Sequence, residues 1–329
     1  MRWISVSFFL FSLLFFGCEK RVEPLRIYSS MDAKETKGFI EAFEKETGEK
    51  VEFVRLSTGE ALTRIQSESA NPHAAVWIGG GSNEHVILER AGLLEPYQPR
   101  RSFPPSPQLT GRMNGWNGWY IGVIGFGANT EFLKKHNMKA PTSYQDLLKP
   151  VFKGKIGVAY PYTSGTAYTI LASLISLMGE EKGFEFVKAL DGQIGHYSES
   201  GSACVTQAGL GEVAVCIAFS HDIRHKGIEQ GYPLELTFPK EGVGFEVGGA
   251  SLIKGGPDLE RGRRFVDWLF SPTAQNLLAE WNQTPIHPGV QKNPFIVRSE
   301  TVKKIDVDIY ESVERHQQLL ARWRQVTGK

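Results

Sequence analysis

Three times within its first hundred residues the chain follows a short apolar run with a longer amphipathic one, and that rhythm leaves few folds open. LRIYSS (25–30) has strand character. DAKETKGFIEAFEKETG after it places Phe39, Ile40 and Phe43 on one helical face, with Gly48 as the stop signal. KVEFVRL with a helix from about Glu60 to Ser69, and AAVWIGG with NEHVILERAGLLEPY, repeat the pattern. Strands joined by helices in this way run parallel, and a parallel sheet needs cover on both faces. The fold class is therefore α/β.

A Pro- and Gly-rich break from Pro99 to Gly118 ends this first set, and YIGVIGFGANT (Tyr120–Thr130) reads as a long strand crossing to a second unit. That unit runs PTSYQDLLKP as helix, GKIGVAYP as strand, two helices as far as Leu190, and EVAVCIAFS as its most apolar strand. FEVGGASLIKG (Phe245–Gly255) crosses back. DLERGRRFVDWLFSPTAQNLLAEW is helical, and KKIDVDIYESVERHQQLLARWRQV forms a helical tail. The expected architecture is two α/β lobes around a central cleft with two crossing hinge strands. Lobe 1 takes 18–123 and 248–295, and lobe 2 takes 124–247 and 296–329.

Residues 1–17 read as an export signal. Arg2 precedes an apolar stretch, Trp3 to Phe16, that is too short to span a bilayer comfortably. Gly17-Cys18 resembles a lipoprotein signal with Cys18 as the lipidated residue; an ordinary secretory signal and an uncleaved anchor are the alternatives. All three put the body of the chain outside the cytoplasm. The remaining stretch of about 310 residues suits two globular units. A formal net charge of +1, which falls to zero without Arg2, offers no basic stripe and excludes nucleic acid as a partner. Cys204 and Cys216 are either a disulfide or two buried thiols.

In open sheets ligands bind beyond the carboxyl ends of the strands, so the residues after each strand are the candidates. Ser29-Ser30 follows the first strand, Thr58-Gly59 the second and Gly80-Gly81 the third, with Ser164-Gly165-Thr166 in the second unit. Each set is small, polar and placed just before a helix. Capping alone explains any one of them. Four in equivalent places point further, because a helix start offers unpaired N–H groups and about half a positive charge to an anion that small side chains let in. Ser220-His221-Asp222 is not a catalytic triad, since neighbours on a strand point to opposite faces. His221 and Asp222 suit the hydroxyls of a polar ligand instead. Glu246, a charge inside an apolar strand, is costly unless paired or facing the cleft, and joins them. No GxxxxGK[ST] pattern, activated nucleophile or metal-ligand spacing is present, so an enzyme, a cofactor or a metal site is not expected.

The run PTSYQDLLKPVFKGKIGVAYPYTSGTAYTILASLI resembles the hallmark segment of bacterial extracellular solute-binding proteins of the ferric-binding subgroup. YSSMDAKETKGFIEAFEKETG, AAVWIGGGSNEHVILERAGLLEPY and SPTAQNLLAEWNQTPIHPGV are similar to its other signature stretches, and the order is kept along the chain. The resemblance implies a type II periplasmic-binding-protein fold. Such a protein closes on a small solute by a hinge motion and hands it to the permease and ATPase components of an ABC importer. It also implies a monomer that touches the membrane only through its N-terminal lipid.

Iron binders of the subgroup carry two adjacent tyrosines at the end of the strand that here reads VAVCIAFSHD, where Ser220-His221 stands instead. Relatives without that pair bind small phosphorylated or phosphonate organics. The resemblance therefore implies a phosphorylated solute, a hexose phosphate. Its phosphate lies at Ser29, Ser30, Thr58, Gly59 and Ser164 to Thr166, and His221, Asp222 and Glu246 select the organic part. The alternatives are a ferric or other metal carrier using His85 and His221, aminoethylphosphonate with its ammonium on Asp222 or Glu246, and thiamine stacked on Trp119, Tyr120 and Tyr197.

Overall fold

The computed structural model describes residues 23–104, 109–290, 293–294, 296–297 and 301–329, so the export signal and Cys18 lie outside the described residues. In lobe 1, β1 (Leu25–Ser29), β2 (Val51–Arg55) and β3 (Val76–Gly81) pair in parallel in the order β2-β1-β3. α1 (Ala33–Thr47) and α2 (Thr58–Ser67) connect them. Alternation along the strands splits the side chains between two cores. Ile27, Val76 and Ile78 join Phe39 and Phe43 of α1 on one face, while Tyr28 and Trp77 join Ala61 and Ile65 of α2 on the other. Asp32 caps α1, Ser57 and Glu60 form a reciprocal capping box on α2, and Gly48 ends α1 at φ 75°. α3 (Ser82–Arg90) starts directly after β3 and leads to the short β4 (Leu94–Glu95). The helix expected over 83–97 stops at Arg90, where Gly92 reverses the chain at φ 67°.

β5 (Asn117–Asn129) crosses between the lobes and changes partners between Val123 and Ile124. Lobe 2 then runs α4 (Thr130–Lys135), β6 (Ile156–Ala159), α5 (Gly165–Met178), α6 (Glu180–Asp191), β7 (Ile194–Ser198), α7 (Ala203–Gly209), β8 (Val215–Phe219), the single turn α8 (Ser220–Asp222) and β9 (Leu234–Thr237). β10 (Phe245–Ile253) crosses back to α9 (Leu259–Leu269), α10 (Pro272–Glu280) and β11 (Thr284–Pro285), which pairs with β5. α11 (Ile309–Glu314) and α12 (His316–Thr327) close the chain.

Three points differ from the sequence expectation or complete it. Both sheets are mixed rather than parallel throughout. β10 runs antiparallel to β3 and β5, and β5 antiparallel to β8 and β9, because a strand that crosses between lobes meets the βαβ strands from their opposite end. PTSYQDLLKP forms two 3-10 turns, Gln145–Leu148 and Pro150–Phe152, since Pro150 has no N–H to continue a helix. Cys204 and Cys216 are joined in a disulfide that ties α7 to β8. Among the described residues no helix is long and apolar enough to cross a membrane.

The tail lies across both lobes. α11 rests on α3, with Arg90 bound to Glu314 at 3.0 Å and the Arg112 N–H donating to the Tyr310 hydroxyl. α12 rests on α6, where Arg322 meets Glu180 and Glu181, each at 2.7 Å.

Candidate ligand-binding site

α5 shows how a buried helix can start on bare hydroxyls. Residues from Gly165 to Ile175 are almost all buried in the lobe 2 core, so the helix is anchored by its body and its first turn is free of covering duty. The Ser164 hydroxyl caps it by accepting from the Ala167 N–H, and the Ser164 N–H donates to the Tyr160 carbonyl. Among the described residues the N–H groups of Gly165 and Thr166 have no acceptor. Ser164 and Thr166 line a cleft between the lobes, facing Ser30, Thr58 and Gly80 of lobe 1.

The lobe 1 wall is narrower than the sequence suggests. Ser29 is fully buried, and its hydroxyl binds that of Thr36 at 2.7 Å while accepting from the Met31 N–H. The Gly59 N–H donates across the cleft to the Thr163 carbonyl at 3.1 Å. Neither Ser29 nor Gly59 therefore offers the donor assigned to it, because the chain already uses both. Ser30 keeps its place on the cleft, with its hydroxyl accepting from the Trp77 indole N–H, and Thr58 presents a hydroxyl without a partner. Gly80 lines the cleft at φ 75°, and Gly81 lies behind it, where a Cβ would sit 2.8 Å from Glu246 Oε2 and 2.9 Å from Glu84 Oε2.

The far end of the cleft carries His221, Asp222 and Glu246. Burial lowers the affinity of His221 for a proton and keeps its ring neutral, stacked 5.3 Å from Phe219. Glu246 accepts from the Thr169 hydroxyl at 3.3 Å; burial, with Glu84 nearby, pushes its carboxyl up to about 8. Two groups that sequence reasoning missed, Lys226 and Glu35, complete this end beside Tyr120. Lys226 bridges Asp32 of lobe 1 at 2.9 Å and Asp222 of lobe 2 at 3.3 Å, and it donates to Ser202 at 2.7 Å. Burial alone would discharge Lys226, but the two aspartates outweigh it and hold the ammonium above its ordinary range. Glu35 is raised well above the carboxylate range by burial and by Asp222, and Tyr120 lies among Glu246, Glu35 and Asp222. At the mouth, Arg55 donates to the Ser200 hydroxyl at 3.1 Å across the lobes. Five carboxyls thus face two cations, but burial favours the neutral form of the two deepest, Glu35 and Glu246.

Three residues named for other ligands are committed elsewhere. Nε2–H of His85 donates to the Gly79 carbonyl at 2.9 Å, and Nδ1 accepts from Ser251 at 2.7 Å, so neither nitrogen is free for a metal. Trp119 is sealed in the lobe 1 core and Tyr197 stacks on Tyr160 with its hydroxyl on Asp191, which leaves Tyr120 alone of the three proposed stacking rings at the cleft.

Comparison with known proteins follows the same lines. The family described as bacterial extracellular solute-binding protein matches residues 88–313. The periplasmic binding protein AfuA from Actinobacillus pleuropneumoniae, solved with exogenous fructose-6-phosphate bound, superposes with a TM-score of 0.88 at 33% identity, over 93% of this chain and 98% of that one. An uncharacterized protein of Haemophilus influenzae is 32% identical over 304 residues, 88% of this chain and 85% of its own. Iron uptake protein A2 of a Synechocystis species is 26% identical over 290 residues, 83% and 80% of the two chains. The fold shared with these structures is the type II periplasmic-binding-protein fold.

Proposed function

The chain belongs to the bacterial extracellular solute-binding proteins, and within that family we propose that it captures a small phosphorylated organic solute, a hexose phosphate, by hinge closure. Family membership makes it a solute-binding component of an ABC importer, working beside permease and ATPase components, and not an enzyme. The observation that carries the ligand assignment is the start of α5. Two N–H groups there have no acceptor, at the positive end of a fourteen-residue helix that opens on the cleft opposite Ser30 and Thr58. A dianion held so needs little compensating side-chain charge, and Arg55 lines the same cleft. His221, Asp222 and Glu246 then take the organic part. The fructose-6-phosphate of AfuA supports this reading at 33% identity. Iron, which the name of the Synechocystis relative suggests, finds no free nitrogen at His85 and no tyrosine pair at Ser220-His221. Lipidation of Cys18, which would tether a monomer to the membrane from outside the cytoplasm, belongs to the same proposal.

The test is a thermal-shift panel on ligand-stripped protein with hexose 6-phosphates, aminoethylphosphonate, thiamine and ferric citrate. A hexose 6-phosphate should raise Tm by several degrees, the mass-action effect expected at about a hundredfold excess over Kd. A shift with ferric citrate alone, accompanied by a visible charge-transfer band, would overturn the reading.

A further inference from the structure

Two buried oxygens in the cleft have no hydrogen-bond partner among the described residues, and neither belongs to the helix start that would grip a phosphate. Glu35, in the first turn of α1, is 5% exposed and its Oε1 lacks a hydrogen-bond donor. Gln283, just before β11, is 1% exposed and its Oε1 lacks one too. Both line the cleft, although they lie far apart in the sequence. An acceptor shut away from water without a donor loses its hydration with nothing in return, so a cleft that closes empty bears that cost twice. The two are also held in place. The Gln283 N–H donates to the Leu278 carbonyl, and Thr284 beside it pairs with Ile121 of β5, next to Tyr120.

We propose that Glu35 and Gln283 form a specificity subsite that receives hydroxyl donors from the organic end of the solute, which makes that end a polyol. This rests on the phosphate reading above for which end of the solute lies where. The surroundings favour a hydroxyl over an ammonium. Glu35 faces Asp32 of its own helix start, Asp222 and Lys226 of lobe 2, and Tyr120 of β5. The ammonium of Lys226 already bridges the two aspartates. Burial and Asp222 favour the neutral form of Glu35 itself. A neutral carboxyl gives one hydrogen and accepts another, which is what a sugar hydroxyl requires.

Calorimetry on the full, ligand-stripped protein tests this with glucose 6-phosphate, fructose 6-phosphate, their monodeoxy analogues and inorganic phosphate, on wild type and the variants Glu35→Ala, Glu35→Gln and Gln283→Ala. The alanine variants should each weaken hexose phosphate binding by about tenfold or more and leave inorganic phosphate within about twofold. Glu35→Gln, which keeps a neutral acceptor, should stay within about threefold of wild type, and the Glu35→Ala protein should no longer discriminate one monodeoxy analogue that wild type rejects. Ligand-free Tm should hold or rise, since an orphan acceptor has gone. Wild-type affinity in both alanine variants removes the subsite and leaves the phosphate reading standing. Equal losses for inorganic phosphate assign both residues to scaffolding and overturn the proposal. Loss in Glu35→Gln as deep as in Glu35→Ala means a charged partner and overturns the hydroxyl assignment. A wild type blind to every phosphate compound takes down the phosphate reading and this one with it.

Discussion

Glu246 and Glu84 are the acids whose state the fold controls most directly. They come from β10 and α3, their carboxyl oxygens both lie within 3 Å of the point a Gly81 Cβ would occupy, and burial lifts them to about 8 and about 7 from an ordinary 4.5. Thr169 of α5, His316 of α12 and Asp222 of α8 face the pair, and burial keeps His316 neutral by lowering it to about 4. The native state therefore holds protons that the unfolded chain gives up. Their stabilisation is full below the unfolded value and is lost as pH climbs through 7 and 8. The stability of the ligand-free protein should accordingly fall from about pH 5 to pH 8.5, by an amount on the order of a few kcal/mol and with a matching drop in Tm, and Glu246→Gln should flatten the slope. An unchanged slope in that variant, read by calorimetry across the range, would assign the effect to other groups.

Glu246 was legible because a charge in an apolar strand stands out. Glu35 carried a signal too, since it sits four residues before Phe39 and eight before Phe43 on the buried stripe of α1. Its neighbours Lys34 and Lys37 made it look like part of a solvated face. Nothing in the sequence marks Gln283 or Lys226, whose roles come only from what the other lobe or the crossing strand brings to them.

Elements of the two lobes come close where α2 begins. A Cβ on Gly59 would lie 2.7 Å from the Tyr162 carbonyl oxygen and 3.1 Å from Thr163 Cα, both backbone atoms that cannot swing aside. Gly59→Ala should hold the lobes apart and also weaken the Gly59 N–H bond to Thr163. Affinity for a hexose phosphate should drop by about tenfold or more while the ligand-free Tm changes little. Wild-type affinity by calorimetry would show that the loop before α5 gives way. The strand and helix rhythm of both lobes was readable from period alone, as was the N-cap role of Ser164. The two 3-10 turns before β6 and the short α4 were not, because neither is long enough to build a periodic face. Ser29 was misplaced for a related reason. Position after a strand says that a hydroxyl is near the cleft, but not that Thr36 one turn into α1 will claim it.

For the whole molecule, the hydrogen bonds and ion pairs across the cleft include Gly59 to Thr163, Arg55 to Ser200, Lys226 to Asp32 and Asn282 to Glu229, with Trp281 against the His225 ring beside the last. Lys226 is the one that joins charges from both lobes in a site largely shut from water, so Lys226→Met should leave Asp32 and Asp222 without their cation on closing. Solute affinity should fall by about thirtyfold, and the ligand-saturated variant should scatter X-rays with a larger radius of gyration than wild type. Unaltered affinity and compaction would mean that the hydrogen bonds suffice. Beyond these contacts, the C-terminal pair of helices has one foot on each lobe, α11 on α3 and α12 on α6, with Arg315 alone between them. A clam whose shells are also laced together at the rim cannot gape to any width. Since Tyr168 of α5 also holds α11 through the Ser312 carbonyl, wide opening has to peel that helix from α3, and a solute on its way out meets that extra latch.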